Sequence, residues 1–205
     1  MKTATLVAVG IAAALALPSA AGAAQGDWFF RAGVHNVAPK SDNGRLAGGA
    51  LRADIGDDIK PTLVLGHMLT EHWAIELLAS LPFEHDVRLN GAHAGSFKHL
   101  PPTLSLDYYF APDARVSPFL GAGINYTWTY SESESGPLAG TRLKIGNSVG
   151  LAVHGGLAFR AAERWDIVAD VRWIDIDADV SVDGAGVGTV AVDPLVYGLY
   201  ASYRF

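Results

Sequence analysis

Apolar and polar positions alternate with period two along most of the chain, most cleanly over its last eleven residues. Leu195, Tyr197, Leu199, Ala201, Tyr203 and Phe205 alternate with Val196, Gly198, Tyr200, Ser202 and Arg204. Successive side chains of a strand point to opposite faces, so this segment predicts a strand with one apolar, aromatic-ended face. Seven earlier segments carry the same period, at 27–37, 62–69, 73–83, 100–110, 117–130, 148–160 and 165–173. Most are about ten residues long, which is what a tilted strand needs to cross a bilayer. In the first, Trp28, Phe30, Ala32 and Val34 oppose Phe29, Arg31, Gly33 and His35. In the third, Trp73, Ile75, Leu77, Ala79, Leu81 and Phe83 oppose Ala74, Glu76, Leu78 and Ser80. The fourth sets Leu104, Leu106, Tyr108 and Phe110 against Thr103, Ser105, Asp107 and Tyr109.

The connections alternate in length. Residues 70–72, 111–115 and 161–164 are short; 38–60, 84–99, 131–147 and 175–192 are long. That alternation predicts an all-β protein, an eight-stranded antiparallel transmembrane β-barrel with both termini and the short turns in the periplasm. Trp28, Trp73, Tyr108, Phe110, Phe159, Trp165, Tyr203 and Phe205 then form an aromatic girdle at the periplasmic strand ends, with Tyr126, Trp128, Tyr130 and Trp173 toward the other rim. The closing strand itself resembles the last strand of bacterial outer-membrane barrels, which implies that Phe205 is part of the signal read by the insertion machinery.

The first residues fit the same compartment. Lys2, an uncharged apolar stretch from Ala4 to Leu17, Pro18 and a run of small residues make 1–23 a cleaved secretory signal peptide and 24–205 the barrel domain. Beyond it no continuous apolar run reaches the length of a spanning helix. The chain has no Cys, which removes disulfides and thiolate chemistry. Without Lys2 the basic residues number 14 against 21 acidic ones, with no basic stripe to suggest nucleic acid.

Four further patterns resemble chemical motifs without their context. Gly146, Ser148 and Gly150 match G-x-S-x-G, but the segment leads into a strand with no following helix, so it reads as glycines at a strand start. Gly186, Gly188 and Ala191 match a nucleotide-loop spacing without the flanking strand and helix. Asp175, Asp177, Asp179 and Asp183 lack the Gly and Glu that a calcium loop requires, with Val180 and Gly186 in those places. His35, His85, His93 and His99 fall near one rim, but their spacing does not demand a metal. The expectation is no catalytic residue, no metal and no cofactor.

The stretches AIELLASLPFEHDV, HLPPTLSLDYYF, PFLGAGINYT and WIDID, with the ending YRF, are similar to the OmpW family of small outer-membrane proteins. The resemblance spans most of the chain and implies an eight-stranded barrel associated with uptake of small hydrophobic compounds. The partners expected are outer-membrane lipid, small hydrophobic solutes and, through Phe205, the insertion machinery; the oligomeric state is open.

Eight strands enclose a lumen that side chains can fill, so a wide aqueous pore is not expected. The inward residues Arg31, Glu76, Asp107, Asp170, Arg172 and Arg204 carry both signs and are expected to pair as a polar plug near the periplasm, with His154 as a hydrogen-bonding member. Arg172 either pairs with Asp170 or Glu76 or equips the lumen for a more polar solute. A hydrophobic solute would bind in the outer half, with Leu78 at the floor of its pocket, and leave sideways into the bilayer. Pro82, Pro101 and Pro102 are the candidate gate, because proline cannot donate to a sheet ladder; the plainer alternative is that they only begin or end strands. The rival to uptake is a barrel whose exposed loops serve as a receptor or adhesion surface.

Overall fold

A computed structural model describes residues 25–205, so the signal peptide expected at 1–23 lies outside the described residues. Eight strands form the wall: β1 (Trp28–Ala38), β2 (Asp58–Met68), β3 (Trp73–Ser80), β4 (Thr103–Tyr109), β5 (Val116–Glu134), β6 (Ser148–Arg160), β7 (Trp165–Ile174) and β8 (Leu195–Arg204). Each pairs antiparallel with its sequence neighbour, and β1 pairs with β8 from Phe29↔Arg204 to Ala38↔Leu195, closing the ring. Trp28 N–H donates to the Phe205 carbonyl (3.1 Å) and Phe205 N–H returns the bond to Trp28 (2.9 Å). Closure leaves no free edge strand, which hydrocarbon would not tolerate.

The period-two pattern sorts the wall as the sequence predicts. Leu63, Leu104, Leu120, Ile124, Leu151, Ile167 and Leu199 are exposed outward, while Phe29, Arg31, Glu76, Asp107, Asp170 and Tyr200 are buried inward. At the end that carries the termini, Trp73 packs edge-on against Tyr108 and Tyr108 against Phe110, while Trp165 lies tilted against Tyr203, forming the aromatic girdle. The turns there are tight. In the first, the Thr70 hydroxyl accepts from the N–H groups of His72 (3.2 Å) and Trp73 (2.9 Å). Phe29 lies against Gly66 of β2, where a Cβ would enter the ring.

At the opposite end the long connections are not irregular loops. Residues 84–99, expected to be one, form most of a hairpin, Phe83–Leu89 and Ala92–Leu100, whose second strand pairs with the extended end of β5. Leu51–Ile55 adds to this hairpin, and Leu143–Ile145, Asp177–Val182 and Ala185–Ala191 make a separate three-stranded sheet. The third wall strand is also shorter than its pattern predicts, ending at Ser80 rather than Phe83. Phe83, expected to face lipid, is instead buried at 1% exposure. Pro82 breaks the ladder, and the alternation changes phase across it, because a residue without an N–H cannot hold the register.

Candidate functional site: the lumen and a break in its wall

The middle of the lumen is an ionic layer assembled from six strands. β1 contributes Arg31 and His35, β3 Glu76, β4 Asp107, β6 His154, β7 Asp170 and Arg172, and β8 Tyr200. Glu76, 1% exposed, accepts from Arg31 Nη1 at Oε2 and from Arg172 Nη2 at Oε1, both at 2.9 Å. Arg172 also contacts Asp170 Oδ2 (3.5 Å) and donates to the Ser105 hydroxyl (3.4 Å). Arg31 donates to the Tyr109 hydroxyl and stacks its guanidinium 4.5 Å from the centre of the Phe29 ring. His35 Nε2 is hydrogen-bonded to the Tyr200 hydroxyl and lies 3.6 Å from Asp170 Oδ1. A guanidinium on each oxygen of one buried carboxylate, with further acceptors around the arginines, is the arrangement that makes buried charge tolerable.

Four of the six residues expected to pair across the lumen, Arg31, Glu76, Asp170 and Arg172, therefore meet, Arg172 engaging both Glu76 and Asp170, while Asp107 lies beside His154, 3.1 Å from its Nε2. Arg204 stands apart near the termini, its Nε 3.2 Å from Asp166 Oδ2. Sequence reasoning missed the roles of His35, Tyr109 and Tyr200, since hydroxyl and imidazole groups on an inward face carry no sign of their partners. It placed His35 at the rim with three other histidines; only His85 and His99 meet, while His93 bonds Ser135. Glu76, Asp107 and His154 bring one potential ligand atom each within 4.8 Å of one another. Arg31 and Arg172 already supply positive charge to Glu76, which disfavours a further cation there.

Toward the loop end the lumen turns apolar. Val37, Phe83, Ala152, Ile174, Ile176 and Val196 belong to one cluster. Beyond it a cavity of about 50 Å³ is lined wholly by apolar side chains, among them Leu46, Ala53, Phe97, Ile145, Val180 and Val190. A smaller cavity shares Phe97, Ile145 and Val190 and continues to His99, Thr127 and Thr129. Leu78 lines neither. It lies in the buried cluster that holds Phe29, Val64 and Tyr200.

The wall is interrupted between β3 and β4. Their ladder stops at Leu78↔Thr103, and the next rung between the two chain segments is Phe83↔His99 in the hairpin. Residues 79–82 and 100–102, which include Pro82, Pro101 and Pro102, make no rung with one another. Each side bonds elsewhere: Leu81 N–H donates to the Pro61 carbonyl (3.1 Å), while the Pro102 carbonyl accepts from Tyr126 N–H (3.0 Å) and that of Pro101 from Asn125 Nδ2 (3.0 Å). Just above the break, His85 Nδ1 donates to the Gly56 carbonyl (2.6 Å) and its Nε2 faces that of His99 at 2.9 Å.

The barrel has counterparts among known proteins. The OmpW family model matches residues 24–205. The chain belongs to the OmpW family. Outer membrane protein W of Salmonella typhimurium is 32% identical over 213 residues, covering 100% of each chain. The crystal structure of outer membrane protein OprG from Pseudomonas aeruginosa superposes with a TM-score of 0.80 at 31% identity, over 90% of this chain and 98% of that one. The dibenzothiophene metabolism operon protein PahQ, also from Pseudomonas aeruginosa, is 26% identical over 202 residues, 92% of this chain and 93% of its own. As an OmpW-family barrel the protein resides in the outer membrane, where its outward apolar belt meets lipid.

Proposed function

We propose that this barrel is a non-enzymatic channel for small hydrophobic molecules, oriented with its termini in the periplasm. A solute enters the apolar cavity between the hairpin and the small sheet and moves down past Phe97 and His99. The ionic layer around Glu76 stops it, since stripping an apolar molecule's path through paired charges would break buried hydrogen bonds without replacing them. Sideways exit between β3 and β4 then delivers it to the bilayer, with Leu78 and Thr103 as the lower lip and Pro82, Pro101 and Pro102 along the sides.

The observation that carries this reading is the missing stretch of ladder at 79–82 and 100–102, lying between an apolar cavity and a closed ionic floor. Opening a wall there costs no inter-strand rung between the two segments. The relative PahQ, named for an operon of dibenzothiophene metabolism, supports an apolar aromatic cargo. The deciding experiment is flux of a small hydrocarbon into liposomes holding the purified barrel, compared with a Pro101→Val/Pro102→Thr variant able to pair. Slower flux through a variant of unchanged fold is expected. Equal flux would remove the lateral exit, and flux equal to that of protein-free liposomes would remove transport altogether.

A further inference from the structure

At the end that carries the termini, below the ionic layer, the lumen opens into a further cavity of about 40 Å³, room for on the order of three waters. Its charged lining is unbalanced: Arg31, Arg160 and Arg204 face a single carboxylate, Asp166. Arg31 is matched from above by Glu76. Arg160 and Arg204 share Asp166, with Nε 3.9 Å from Oδ1 and 3.2 Å from Oδ2 respectively. Their other bonds go to neutral backbone: Arg160 donates to the carbonyls of Pro112 (2.7 Å) and Asp113 (3.4 Å), and Arg204 to that of Glu163 (3.2 Å). One positive charge of the lining is left without a counterpart in the cavity.

The hydrogen-bonding inventory points the same way. Arg31 Nε and the Ser117 hydroxyl are buried without a hydrogen-bond partner, and the Nε atoms of Arg160 and Arg204 have only the one Asp166 carboxylate beside them. Arg31 and Ser117 are only 4% and 5% exposed. Two unpartnered donors and two more that share a single carboxylate leave the cavity with capacity for a further acceptor.

We propose that this cavity binds a small carboxylate, its oxygens between Arg160 and Arg204 and its short alkyl part against Phe29, Met68 and Val168. A single unmatched charge suits a monoanion better than a dianion. The planar guanidinium matches the planar carboxylate. The apolar walls give an alkyl group a gain that inorganic phosphate cannot share. The site lies on the far side of the ionic layer from the apolar cavity, so it stands or falls independently of the lateral route and of which way the barrel faces.

The test uses the mature barrel in detergent micelles, with the Arg Nε–Hε resonances followed by NMR during titration with sodium acetate, propionate, phosphate and chloride at constant ionic strength. Saturable shifts at Arg160 and Arg204 are expected, tighter for propionate than for acetate, with none for chloride. Arg204→Gln should weaken propionate at least tenfold. Because Arg204 also ties β8 to the last turn, Val168→Phe serves as a second variant: it fills the cavity, keeps every charge and should abolish saturation. Shifts that are linear and alike for all salts, tighter binding of phosphate than of propionate, or undiminished binding in Val168→Phe would each overturn the assignment.

Discussion

His85 and His99 face each other Nε2 to Nε2 at 2.9 Å in the hairpin above the break in the wall, both buried. Because His85 Nδ1 must donate to the Gly56 carbonyl, its Nε2 accepts and His99 donates, which requires His85 to be neutral. Burial holds His85 below the usual histidine range despite Asp57 and Asp58 nearby, and burial together with His85 pushes His99 down to about 3. The unfolded hairpin takes up protons near pH 6.5 and the folded one does not, so hairpin stability falls as pH drops below 6.5, by up to about 1.4 kcal/mol per unit for each histidine. Protection factors across 83–100, which correct amide exchange for its intrinsic pH dependence, are therefore expected to fall between pH 7 and pH 5 in the native protein and to stay flat in His85→Phe/His99→Leu. A native profile without pH dependence would show that the pair does not control the hairpin.

Glu76 is the shared counterion of Arg31 and Arg172. Glu76→Gln keeps its shape and removes its charge, leaving two guanidiniums in a closed lumen with Asp170 and Tyr109 as their main remaining partners. A loss on the order of 3–5 kcal/mol is expected in urea unfolding followed by tryptophan fluorescence, the range for breaking a buried ion pair from one side. A loss below about 1 kcal/mol, the size of an exposed pair, would mean that water reaches these arginines.

Gly66 is bare because Phe29 occupies the space above it. Gly66→Ala should displace the ring and cost about 1–3 kcal/mol, the usual penalty of overpacking. Combined with Phe29→Leu the same change should cost clearly less than the sum of the two, since contacting residues are not additive. Additive losses in the urea midpoints would refute the contact.

Val187 lines the apolar cavity and is only partly buried, so a larger side chain is accommodated there without rebuilding the core. Val187→Trp is expected to lower hydrocarbon flux severalfold while leaving the unfolding midpoint within measurement error. Unchanged flux with the indole seated in the cavity, as reported by a blue-shifted emission, would place the solute elsewhere.

The eight strands, their inward and outward faces and their aromatic girdle were legible in the sequence because strand alternation is local: each residue's face follows from its neighbours two positions away. The resemblance carried by the OmpW-like stretches rested on the same local order. Local pattern failed where a proline intervened. Leu81 and Phe83 look like a continuation of β3, yet Pro82 ends the ladder and Phe83 turns inward, and nothing in the alternation marks where pairing stops. The hairpin at 83–100 was equally hidden, since its buried face includes His85, His99 and Phe97 rather than an uninterrupted apolar series.

Which inward groups meet was decided only by closing the barrel. Glu76 and Arg172 are 96 residues apart, and His35 and Tyr200 are 165 apart. Sequence determined that these side chains enter the lumen. Their partners, the separation of Arg204 from the layer and the apolar cavity around Val190 depend on shear and on the height of each strand in the wall, quantities that exist only once all eight ladders are set.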